Sequence, residues 1–138
     1  MNDVEPQPSP PARAALAQRH CKPCQKGTLA LAPREAALLA GSVPTWQVQE
    51  RDGIPRLERT LTLPDFRAAI AFVDRVAEVA EAEGHHPDFA IRYNLVTVSS
   101  WTHVAHGLTE NDFILAAKID GLVGSEAEGS AASVPPRT

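Results

Sequence analysis

DFRAAIAFVDRVAEVAEAEG, residues 65–84, is the stretch on which the fold turns. Phe66, Ala69, Ile70, Val73, Ala77 and Ala80 recur at steps of three and four, the spacing of one helix face. Phe72, Val76 and Val79 make a second stripe beside the first, and Arg67, Asp74, Arg75, Glu78 and Glu81 form the polar face. A stripe this wide serves a core and is broad enough to reach part of a subunit interface. Gly84, which accepts positive φ, ends the helix that begins at Asp65.

Working outward, each side of this helix reads as a hairpin. TWQVQE, residues 45–50, alternates apolar and polar positions, as a strand with one buried face does. Asp52-Gly53 is a strong turn signal. Leu57, Leu61 and Leu63 then share one face of a second strand, with Glu58, Thr60 and Thr62 on the other and Arg59 interrupting the apolar face. On the far side, Phe89–Tyr93 and Leu95–Trp101 read as two strands about Asn94. Val96, Val98 and Ser100 share one face, and Leu95, Thr97, Ser99 and Trp101 share the other. Outermost lie two more helices. Residues 33–40 start at Pro33, which suits a first turn, and stop at Gly41. Residues 109–120 start at Thr109 with Asp112 placed for a capping box and stop at Gly121. The order is αββαββα. Short hairpins imply antiparallel pairing, so the expectation is an α+β fold, a four-stranded antiparallel sheet with helices packed on one face. One sheet edge is left to pair with another subunit.

The ends differ from the middle. Residues 1–27 form a proline-rich segment carrying Pro6, Pro8, Pro10 and Pro11, with little apolar periodicity, and residues 122–138 are mostly Gly, Ser, Ala, Glu and Pro. Both read as flexible, because neither offers the apolar surface that would offset the entropy of ordering it. The folded domain then spans about 28–121. A core of that size is modest, which makes oligomerisation a natural supplement.

Of 138 residues, 13 are Lys or Arg and 17 are Asp or Glu, for a net charge of −4. The cations are scattered, so direct nucleic-acid binding is not expected. No long apolar run reads as a membrane span and no leader pattern opens the chain, so the expected location is the cytoplasm. Cys21-Lys22-Pro23-Cys24 reads as half of a zinc site or as a redox pair. A structural zinc site needs four ligands, and a redox pair should follow a strand, so neither reading is completed by the local sequence.

Proton chemistry concentrates where the central helix stops. Three of the five histidines, His85, His86 and His103, fall in one span with Glu81 and Asp88 nearby. Histidine exchanges protons near neutral pH, with an unperturbed pKa of about 6.5. Pro87 biases His86 to extended backbone, and consecutive extended residues point to opposite sides. One of the pair therefore faces a ligand while the other braces the loop. A hairpin brings the start of its first strand beside the end of its second, which returns His103 towards His85 and His86. Structural histidines, a metal site and metal-free acid–base catalysis all fit this spacing.

The motifs Glu81-x-x-x-His85-His86-Pro87-Asp88, Tyr93-Asn94-x-Val96, Thr102-His103 and Gly107-Leu108-Thr109-x-x-Asp112 together resemble pterin-4a-carbinolamine dehydratase, over about Trp46 to Asp120. The Cys-x-x-Cys start also resembles some bacterial members. The resemblance implies a hydro-lyase that dehydrates 4a-hydroxytetrahydropterin to quinonoid dihydropterin in tetrahydrobiopterin recycling. It implies His85, His86 and His103 as catalytic residues and Glu81, Pro87, Asp88 and Trp101 around the substrate, with no organic cofactor and no metal. It also implies a homodimer or homotetramer with sheets joined across subunits, and a pterin-dependent hydroxylase as metabolic partner. The alternative is a non-catalytic relative on the same scaffold, such as a Rubisco assembly factor or a transcription-factor dimerisation cofactor. Two positions depart from the pattern: some members carry a carboxylate at the place of Gly84, and some a basic residue at the place of Asn111.

Overall fold

A computed structural model describes residues 8–123. In chain order these form α1 (Arg13–Ala17), α2 (Pro33–Ala40), β1 (Gln47–Arg51), β2 (Ile54–Thr62), α3 (Phe66–Glu83), β3 (Asp88–Arg92), β4 (Leu95–Ser100), a 3-10 turn (His103–Ala105) and α4 (Glu110–Asp120). The four strands pair antiparallel in the order β1-β2-β4-β3. Asp52 and Gly53 both take positive φ, 53° and 77°, the conformation that lets a two-residue turn follow the twist of its strands. The expected α+β architecture is the one observed, with α1 added in front.

Leu57 and Leu61 of β2 and Val96 and Val98 of β4 lose all solvent contact on one face of the sheet. They join Phe72 and Val76 of α3 and Phe113, Leu115 and Ile119 of α4 in one core. The opposite face is held by polar pairs, among them Thr60 with Thr97 at 2.8 Å and Arg51 with Glu58 at 3.0 Å. Arg59 interrupts the apolar face for a reason. It is buried and pairs with Asp120 at the end of α4, and the same carboxylate oxygen accepts the Trp46 indole N–H at 2.8 Å. One carboxylate thus ties the end of α4 to the sheet.

Several sequence expectations change on the structure. The first strand was expected to bury one face, but every residue of β1 is exposed because it is the sheet edge beyond the helices. On α3 the buried stripe is Ala69, Phe72, Val76 and Ala80, whereas Phe66 is 52% exposed and Ala77 is also exposed. The larger correction concerns the segment up to residue 27, read as flexible. Residues 8–27 lie along the domain: Leu16 is fully buried, Arg13 Nη1 donates to the Ala117 carbonyl at 3.1 Å, and Lys118 Nζ donates to the Ala17 carbonyl at 2.7 Å. At the other end, Leu122 and Val123 pack against the core. The remaining parts of the two expected tails, 1–7 and 124–138, lie outside the described residues.

Asp65 caps α3, its side chain accepting from the Ala68 N–H at 2.7 Å. Asp65→Ala should lower stability by about 1 kcal/mol, since a helix N-terminus loses an acceptor for an otherwise unpaired donor. Urea unfolding with an unchanged midpoint would remove this role from Asp65. Among the described residues no helix is long and apolar enough to cross a membrane.

Candidate active site

Gly84 stops α3 in the left-handed conformation, φ 66°, and its N–H and that of His85 bond back to Glu81 and Ala80. The chain therefore turns sharply just before the two histidines, and they part as expected. His85 points inward: it is buried, with Nε2 at 2.7 Å from Asp112 Oδ1. His86 points outward and its Nε2 lies 2.5 Å from Glu81 Oε2, with both side chains exposed.

Asp112 is the hub of the site. It is wholly buried at the first turn of α4. Besides His85, its Oδ1 accepts from the Ser100 hydroxyl at 2.6 Å. Its Oδ2 accepts from the Thr102 hydroxyl at 2.8 Å and from the Thr109 N–H at 3.0 Å. The sequence marked Asp112 as a helix-capping residue. The cap is present, and the carboxylate's second task is to hold His85, which local sequence does not show because the ring arrives from α3. With hydroxyls and a backbone N–H directed at the carboxylate, His85 Nε2 is the nitrogen that carries hydrogen, and Nδ1 is left to act as acceptor.

His103 opens the 3-10 turn after β4 and is exposed. Its ring stacks on Trp101 with centroids 3.9 Å apart and an interplanar angle of 28°. The Arg56 guanidinium lies 4.8 Å from the Trp101 ring centre. His85, His86, Trp101 and His103 line a single open cleft of about 230 Å³, together with Thr102 and Cys24. Of the other residues expected around a substrate, Glu81 reaches the cleft only through His86. Pro87 and Asp88 lead away from it into β3. The Asp88 side chain is 61% exposed, 3.9 Å from Arg56, and borders a shallow groove on the polar sheet face. A larger groove of about 390 Å³ lies between α2 and β1, but its lining is mainly apolar and holds only Glu50 and His106 for proton chemistry.

Cys24 was not foreseen in the cleft, because it belongs to the segment expected to be flexible. Residues 20–24 cross the start of α4 and the end of α3. Glu83 Oε1 accepts the Cys21 N–H at 2.7 Å and Oε2 lies 3.0 Å from the His20 ring. Burial opposes the Glu83 charge, but the Cys21 N–H, the His20 ring and Lys118 outweigh it and hold the carboxyl below its usual range. Cys21 is the converse case: burial first, then the neighbouring Glu83 and Asp112 charges, push its thiol up to about 12. Both cysteines are free thiols. Among the described residues no group of three or more His, Cys, Asp or Glu is arranged to hold a metal ion.

Comparison with known proteins identifies the family. The sequence model of the family described as Pterin 4 alpha carbinolamine dehydratase matches residues 29–122. A Chlorobium limicola protein provisionally named pterin-4-alpha-carbinolamine dehydratase is 49% identical over 102 residues, covering 74% of this chain and 90% of its own. A Microcystis aeruginosa protein of the same provisional name is 44% identical over 107 residues, covering 78% of this chain and 92% of its own. Among solved structures, the transcriptional coactivator/pterin dehydratase from Brucella melitensis superposes with a TM-score of 0.62 at 32% identity, covering 69% of this chain and 99% of that one. The helix between two hairpins is thus the fold of a known kind of domain, and this chain belongs to the pterin-4-alpha-carbinolamine dehydratase family.

Proposed function

We propose that this protein removes water from 4a-hydroxytetrahydropterin to give a quinonoid dihydropterin, in the recycling of tetrahydrobiopterin. The observation that carries the reading is the meeting of His85, His86 and His103 beside Trp101 in one cleft. Hydroxide is a poor leaving group, so an acid must protonate the departing oxygen as the C4a–O bond breaks. The electron pair of a ring nitrogen closes the new double bond, and a base takes a ring-nitrogen proton. Imidazoles suit both roles near neutral pH. His85, held by Asp112, and His103, stacked on Trp101, share these proton transfers, while His86, braced by Glu81, binds and orients the ring. The ring nitrogens of the substrate supply the electrons, so this chemistry asks for no organic cofactor and no metal.

The dehydratase domain is about 28–121, with residues 8–27 docked on it, working in the cytoplasm as a homo-oligomer. Two features support assembly: among the described residues β1 and β3 are unpaired sheet edges, and Phe66 is exposed on α3 beside half-buried Ile70 and Val73. A second reading, a binding protein on the same scaffold, is favoured by the coactivator half of the Brucella melitensis protein's name. Stopped-flow measurement of 4a-hydroxypterin decay separates the two. Purified protein at catalytic concentration should accelerate the decay; decay at the rate of buffer alone would leave only the binding reading.

A further inference from the structure

We propose that Cys21–Cys24 forms a strap that walls the cleft, with the Cys24 thiol touching the bound pterin and setting how tightly it is held. The proposal rests on the dehydratase reading and extends it to a segment outside the matched span of residues 29–122.

The strap is a built element. The Asn111 side chain, nearly inaccessible to solvent, pairs with Lys22 through both its groups: the Lys22 N–H donates to Oδ1 at 2.9 Å, and Nδ2 donates to the Lys22 carbonyl at 2.7 Å. The same Nδ2 donates to Cys24 Sγ at 3.1 Å, while the thiol itself donates to the Lys22 carbonyl at 3.9 Å. Cys21 is tied from the other side by Glu83 and by its own Sγ, 3.6 Å from the Asn111 carbonyl. Pro23 stiffens the intervening turn by fixing its φ. These supports adjoin those of the catalytic candidates: Asn111 precedes Asp112, which holds His85, and Glu83 precedes the Gly84-His85 turn. The strap and the cleft thus share their supports, and Cys24 is among the residues that line the cleft.

The two thiols divide the work. Cys21 stays protonated and packs, whereas Cys24 lines the cleft, where a soft, polarisable atom can meet the flat heterocycle of a pterin. Because the Cys24 thiol bonds to Lys22 and Asn111 rather than to Asp112 or the histidines, its effect falls on affinity and side-chain tolerance rather than on the proton transfers. Asn111 is the positioning residue for this wall.

Two measurements on the full-length protein test the assignment. Iodoacetamide should modify Cys24 well ahead of Cys21, since the thiolate is the nucleophile, and saturating 7,8-dihydropterin should slow the Cys24 reaction by about tenfold. Cys24→Trp, which fills part of the cleft, should raise KM for 4a-hydroxytetrahydropterin by about tenfold while changing kcat much less, the pattern of lost uniform binding. Asn111→Leu should raise KM in the same direction by releasing the strap. If the wild-type protein is active but dihydropterin leaves Cys24 alkylation unchanged, the strap is no wall of the pterin site. An active wild type with an unaltered KM in Cys24→Trp overturns the proposal equally. A wild type that neither binds dihydropterin nor accelerates dehydration brings down the dehydratase reading, and this proposal with it, before any variant is made.

Discussion

In the double variant His85→Ala/His103→Ala, dehydration of 4a-hydroxytetrahydropterin should fall to the rate in buffer. A positioned acid or base contributes roughly 10²–10⁴-fold to a proton-transfer step, and this variant removes both. Single variants should each lose most of the activity rather than half, because groups that act as a unit are strongly non-additive. His86→Ala should behave differently. Its ring is exposed and braced only by exposed Glu81, so its loss should appear in KM more than in kcat. Alanine at 85 and 103 also removes the partners of Asp112 and Trp101, so circular dichroism must accompany the kinetics. A folded double variant with undiminished activity would sink the assignment of these two residues.

Asp112→Ala should be the most destabilising single change in the site. The wild-type carboxylate takes hydrogen bonds from His85, Ser100, Thr102 and the Thr109 N–H while wholly excluded from water. Alanine leaves those donors buried without an acceptor. Breaking a buried network from one side costs about 3–5 kcal/mol, against a total stability of about 5–15 kcal/mol for a domain. The urea midpoint should drop accordingly. Asp112→Asn keeps the shape and restores part of the stability, but its amide presents a donor where donors already converge. Its kcat should remain low, because a neutral amide no longer offers His85 a charged acceptor. An Asp112→Ala protein that unfolds at the wild-type midpoint would show that the network carries no stability.

Much of this architecture is legible in the sequence because it is built from local patterns. Asp65 and Gly84 mark the ends of α3, and both do so in the structure, one by its side chain and the other by its left-handed backbone. Asp52-Gly53 announces the first hairpin, and the parting of His85 from His86 follows from two consecutive residues before a proline. What the local pattern does not carry are decisions made across long separations. Two apolar stripes on α3 compete for the core, and only the placement of the sheet and α4 selects Ala69, Phe72, Val76 and Ala80. Arg59 looks like a fault in β2 until Asp120 is brought against it. The N-terminal segment has almost no periodicity to read. Its order comes from one buried leucine and from polar contacts with α3 and α4, so Cys24 reaches the cleft without any local signal. The candidate histidines are visible as a cluster of titratable groups, whereas the residues that hold them are visible only once the chain has closed.

The docking of α1 and the strap on α4 also bears on the order of events in folding. Arg13 meets Ala117 across 104 positions of sequence, and Lys22 meets Asn111 across 89. The N-terminal part of the described chain meets Glu83 at the end of α3, but most of its surface is missing until α4 has emerged. Contacts between such distant positions come late, since the loop they close must first be restricted and the two hairpins and α3 form from nearer neighbours. A nascent chain thus holds a nearly complete sheet and its histidines before the cleft has its last side, and the site is finished by a stretch made before the sheet.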